Sequence, residues 1–129
     1  MESFTLSTII PATSEQIYAA WLSSEGHSQM TGSQAEVQAG TGGAFTAWDG
    51  YISGKTLELE PHRRIVQTWR TSEFPEGSAD SHVEILLEET AEGTKLTLVH
   101  TNIPDGQADG YKEGWDDFYF TPMRAYFSR

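Results

Sequence analysis

The side chains in this sequence best suited to bind a metal or move a proton near neutral pH are four histidines, His27, His62, His82 and His100. A helical metal pair needs ligands at i and i+4, yet even the nearest two, His82 and His100, lie eighteen residues apart. Cysteine is absent, which excludes disulfides, thiolate metal sites and cysteine nucleophiles together. Asp116-Asp117 resembles a catalytic carboxylate pair only on paper, because adjacent helical residues do not face each other. With Asp109 and Glu113 they read as a solvated helix face. No G-x-S-x-G elbow occurs, and no Ser–His–acid set can be assembled. Gly40-Thr41-Gly42-Gly43 lacks the lysine of a phosphate loop and opens a strand, so it reads as a turn. The expectation is a protein that is not an enzyme and carries no metal or other cofactor.

Two polar residues on apolar faces stand out instead. Gln67 lies between Ile65 and Trp69 on one strand face, and His100 shares a face with Leu96 and Leu98. A buried amide left unpaired costs roughly 1–3 kcal/mol, so Gln67 must find His100, a water or a ligand. His100 reads either as a core-edge histidine bonded to a neighbour or as a ligand contact. Tyr111, Trp115 and Phe118, with Trp69 and Phe45, either fill a core or line a cavity. The candidate ligand set is Phe45, Ile52, Gln67, Trp69, Val83, Ile85, His100, Trp115, Phe118 and Tyr119, which would hold a small hydrophobic molecule.

The elements that must position these residues follow from periodicity. Phe4 to Ile9 alternates as a strand that Pro11 ends. Thr13 and Gln16 form a capping box for a helix over about residues 14–22. Ser23-Ser24-Glu25 can cap a second short helix ending before Gly32. Strands then follow around Ala35 and Val37, from Phe45, and through Ile52 to Leu59. Ile52 is out of phase with Leu57 and Leu59, which calls for a bulge near Gly54. Asp49-Gly50, Pro61-His62 and Ala91-Glu92-Gly93 mark turns. Strand faces carry Ile65, Gln67 and Trp69, then Val83, Ile85 and Leu87, then Leu96, Leu98 and His100. Asp105 can cap a long final helix whose stripe is Tyr111, Trp115, Phe118, Pro122 and Tyr126, kinked at Pro122. The fold class is α+β: a curved antiparallel sheet of six or seven strands wrapped around that helix, with one or two short helices after the first strand. Burying one large aromatic removes ~150–250 Å² from water, or about 4–6 kcal/mol gross.

The chain has 129 residues and a formal net charge of −11, from 8 Lys+Arg against 19 Asp+Glu. That length predicts a single domain over 1–129. Scattered basic residues exclude nucleic acid and disfavour an anionic membrane surface. No run is long enough to span a bilayer, and Met1 to Leu6 has no signal-peptide pattern, so the expected location is cytoplasmic.

Ordered motifs then carry a resemblance. They are Gly42-Gly43-Ala44-Phe45, Trp48-Asp49-Gly50-Tyr51-Ile52-Ser53-Gly54, Pro61, Arg64-Ile65-Val66, Trp69-Arg70, Pro75-Glu76-Gly77, Ile103-Pro104, Gly114-Trp115 and Phe118-Tyr119-Phe120. In this order the chain resembles the C-terminal domain of activators of heat-shock protein 90 ATPase. That domain belongs to the START and birch-pollen-allergen (SRPBCC) superfamily. The resemblance implies a helix-grip fold and a stand-alone domain without the N-terminal domain to which eukaryotic members couple it. It also implies a heat-shock chaperone as an alternative partner. Superfamily members that stand alone are thought to hold small apolar molecules between helix and sheet, and cyclases or hydrolases among them make an enzyme the third reading.

Overall fold

The computed structural model describes residues 1–128. Strand β1 (Glu2–Ile10) half-buries alternate residues, as its period of two requires, and fully buries only Ile10. Helix α1 (Ser14–Trp21) opens on the expected capping box. Gln16 N–H donates to Thr13 Oγ1 at 3.1 Å, and Thr13 N–H donates to Gln16 Oε1 at 2.9 Å. Helix α2 (Ser24–Thr31) is capped by Ser23 and stopped by Gly32 at φ 81°, a conformation that favours glycine.

Six strands follow: β2 (Glu36–Val37), β3 (Ala44–Ala47), β4 (Ile52–Glu60), β5 (Arg64–Thr71), β6 (Ser81–Thr90) and β7 (Gly93–Ile103). All pair antiparallel in the order β1-β7-β6-β5-β4-β3-β2, so the chain is a meander whose first strand adds beside the last. Register sets the inward rows. Ile65 pairs with Ile85, Ile85 with Leu98 and Leu98 with Leu6. The next row runs Gln67, Val83, His100, Phe4.

Two local expectations change. The phase shift in β4 exists, but the register slips between Thr56 and Glu58, so Leu57 is the residue turned outward. Gly54 has another task. A Cβ there would lie 1.9 Å from the Thr68 carbonyl oxygen, so only glycine allows β4 to approach β5 this closely. Asp105 caps no helix, and instead pairs with the amino group of Met1 at 2.9 Å.

The C-terminal segment comprises α3 (Ala108–Trp115), a π-helical turn (Asp116–Phe120) and α4 (Thr121–Phe127). The expected break at Pro122 takes this form. Proline has no N–H for the Phe118 carbonyl, and one residue earlier Thr121 N–H donates to the Asp116 carbonyl, an i→i−5 bond. The wider turn rotates the helix relative to a regular 3.6-residue spiral. Trp115, Tyr119, Phe120 and Met123 therefore face the sheet. Phe118, expected in the buried stripe, is 54% exposed. Tyr111, Pro122 and Tyr126 are half-buried at its margins. Among the described residues, no helix is long and apolar enough to cross a membrane.

Candidate functional site

The helix and sheet meet through aromatic rings and two polar relays. His100 is fully buried on β7. Trp115 Nε1–H donates to His100 Nδ1 at 3.1 Å. An indole nitrogen only donates, so Nδ1 is the acceptor and Nε2 carries the proton. That proton goes to Ser81 Oγ at 2.9 Å, and Ser81 Oγ–H donates to the Trp69 carbonyl at 2.6 Å. Every polar atom in the relay is used. Burial holds the His100 imidazole neutral, its pKa pushed down to about 3.

The second relay is built on α2. His27 Nδ1–H donates to the Trp21 carbonyl at 2.9 Å, which leaves Nε2 to accept from the Tyr119 hydroxyl at 2.7 Å. Desolvation lowers the His27 pKa and raises that of Tyr119, so both stay neutral. The Tyr119 ring packs 4.7 Å from Trp115 and 5.2 Å from Trp21. The two buried histidines thus tie the C-terminal helix to the sheet and to α2. Among the described residues, no group of three His, Asp or Glu side chains is placed to hold a metal ion.

Gln67 is satisfied differently from expectation. Trp21 Nε1–H donates to its Oε1 at 3.3 Å, and its Nε2 donates to Thr56 Oγ1 at 3.2 Å. His100 is out of reach, because Val83 stands between them in the row. Two strand spacings amount to roughly 9–10 Å.

The ten candidate residues therefore divide. Phe45, Gln67, Trp69, Val83, Ile85 and His100 are buried in a packed interior. Ile52, Trp115, Phe118 and Tyr119 converge on an apolar slot of about 380 Å³ at one end of the helix–sheet contact. Trp48, Tyr51, Tyr111 and Gly114 complete it. The Trp48 ring meets that of Phe118 edge-on at 5.3 Å. Gly114 opens the helix side, since a Cβ there would touch only Phe118, at 3.7 Å.

Trp48 went unread as a slot residue because its Asp49-Gly50 neighbours signal only a turn. That turn is unusual. Trp48 and Asp49 both adopt left-handed backbone, at φ 52° and 58°. For a residue with a Cβ this costs ~1–2 kcal/mol. The Asp49 N–H bond to the Gln34 carbonyl at 2.9 Å helps hold it. The Trp48 Nε1–H is shielded from solvent and has no acceptor among the described residues. At the slot's far edge, the Tyr51 hydroxyl donates to the Glu73 carboxylate, and burial together with that bond raises the Tyr51 pKa to about 12.

A meandering seven-stranded antiparallel sheet gripping a π-bulged C-terminal helix, with two short helices after the first strand, defines a helix-grip α+β domain. Comparison with known proteins then gives the family. The chain belongs to the family described as "Activator of Hsp90 ATPase homolog 1-like protein", whose profile matches residues 11–128. It is 28% identical over 123 residues to the human activator of 90 kDa heat shock protein ATPase homolog 1, a match covering 95% of this chain and 36% of that protein. To the mouse homolog 2 it is 29% identical over 120 residues, again across 36% of that protein. The chain thus spans about a third of these relatives' length. Among solved structures it is similar to an HSP90 activator from Plasmodium falciparum, with a TM-score of 0.86 at 25% identity, covering 97% of this chain and 95% of that one. The Aha1 dimer from Colwellia psychrerythraea shares the fold, with a TM-score of 0.80 at 19% identity over 97% and 96% of the two chains.

Proposed function

We propose that this domain, acting as one unit over residues 1–129, is a non-enzymatic partner of a 90 kDa heat-shock chaperone and modulates its ATP turnover in the cytoplasm. The observation that carries the reading is the 0.86 TM-score to an HSP90 activator that the chain matches over 95% of its length. The interior agrees with such a role. Both ring nitrogens of each buried histidine are bonded to protein groups, so neither imidazole is free to act as a general base. The test is titration of the purified chain into the host's 90 kDa chaperone, following ATP hydrolysis and complex formation. The expected result is saturable binding with altered turnover. Neither effect at large excess would end the reading.

A second reading is favoured by one feature, the apolar slot of about 380 Å³. That volume lies in the range that holds small molecules. On this reading Ile52, Trp115, Phe118 and Tyr119 contact a small hydrophobic ligand, while the other six candidate residues lie outside the slot lining. Native mass spectrometry of freshly purified protein should then show a bound mass, and mass-free protein that takes up no apolar probe would exclude it.

A further inference from the structure

We infer that the slot between Trp48 and Phe118 seats a single apolar side chain from a partner segment rich in Lys and Arg. The inference rests on the chaperone-partner reading and names the surface that would make the contact. Three observations carry it. The slot is open, almost wholly apolar and flanked by Phe118, a large ring left 54% exposed by the π-turn. The left-handed backbone of Trp48 and Asp49 puts an indole against Phe118 where a glycine or asparagine would make the turn at lower cost. That strain fixes the half-buried Trp48 indole as one wall of the slot, opposite the exposed Phe118 ring.

The third observation is charge. Glu73 is bonded to Tyr51 at the slot's edge, and Asp49 and Asp117 follow Trp48 and Phe118 in the chain. All three carboxylates are exposed. Among the described residues none of the three forms an ion pair, whereas Glu58, Glu60, Glu84 and Asp80 are paired with Arg64 or Arg70. An apolar seat with unpaired negative charge at its edge fits an apolar anchor flanked by cations. The chain's net charge of −11 steers such a segment towards it.

The experiment measures binding of the host's 90 kDa chaperone to wild type, Phe118→Ser, Trp48→Asn, the double variant Asp49→Lys/Asp117→Lys, and a control, Glu92→Lys on the β6–β7 turn. Phe118 is exposed and asparagine tolerates the left-handed turn, so the first two variants should fold, which thermal melts will verify. Each should weaken binding about tenfold or more, as loss of an interface anchor does. The charge reversal should weaken binding and flatten its salt dependence, with Glu92→Lys unchanged. Equal binding by wild type and both aromatic variants overturns the slot while leaving the chaperone reading intact.

Should the wild type bind no chaperone, that reading falls and a peptide arm decides the slot alone. Hexapeptides with Leu-Phe at the centre, flanked by Lys or by Glu, are titrated while the indole N–H signals of Trp48 and Trp115 are followed by NMR. Shifts with the Lys-flanked peptide only support the inference; equal shifts or none overturn it. A co-purified small molecule that must be stripped before these signals respond also overturns it, in favour of the ligand reading.

Discussion

Between pH 7.5 and 5.5 the fold should lose stability through its buried histidines, and His100 allows the size to be worked out. Its imidazole has no solvent contact and both ring nitrogens are committed, one as acceptor from Trp115 and one as donor to Ser81. Protonating Nδ1 would break the Trp115 bond and place a charge among Trp69, Phe4 and Trp115 rings. Burial accordingly drops its pKa from the ordinary 6.5 to about 3. Below pH 6.5 the unfolded chain takes up this proton and the folded chain does not, so stability is full above that pH and falls as pH drops towards 3. From pH 7.5 to 5.5 the linkage amounts to about 1.4 kcal/mol for this one site. His27, lowered by the same burial, acts in the same direction. Urea unfolding at the two pH values measures the total. The difference between wild type and His100→Gln isolates this residue, because glutamine can accept and donate but does not titrate. Falling net negative charge affects both proteins alike and cancels in that difference. The reasoning fails if both proteins lose the same stability, or if the His100 ring proton signal titrates near 6.5.

Other substitutions test the packing. Tyr119→Phe keeps the ring but leaves His27 Nε2 without its donor, and should cost ~1–3 kcal/mol in chemical unfolding with little change in near-ultraviolet dichroism. Gly54→Ala drives a methyl into the Thr68 carbonyl and should cost several kcal/mol, on the order of 3, read as a fall in melting temperature. Gly110→Ala, in the first turn of α3 with nothing within 4 Å of the new methyl, should stabilise by about 0.5 kcal/mol in the same unfolding assay.

Much of the architecture is local and was therefore readable. The capping box at Thr13, the glycine stop at Gly32 and the alternation of β5, β6 and β7 depend on contacts within a few residues. The need for a phase change in β4 was readable too, but its location was not. Gly54 looked like the bulge because glycine often marks one, yet it serves the close approach of β5, which only the neighbouring strand reveals.

The site was less legible, for a different reason. Gln67 and His100 declared themselves as inward polar residues, but their partners depend on which strand lies between them, and Val83 does. The helix stripe presumed 3.6 residues per turn throughout. One i→i−5 bond at Thr121 exchanged Phe118 for Tyr119 at the sheet and left the former at the mouth of the slot. Trp48 entered the slot through a turn conformation its side chain disfavours, which no propensity argument would choose.

Sequence alone therefore determined the elements, their order, the inward faces and the acidic surface, because periodicity, caps and charge are properties of short stretches of chain. Tertiary structure decided who pairs with whom across the sheet and which aromatic faces water. Those outcomes depend on distances between segments far apart in the chain, and on a helix rotation set by packing against a surface the helix does not itself encode.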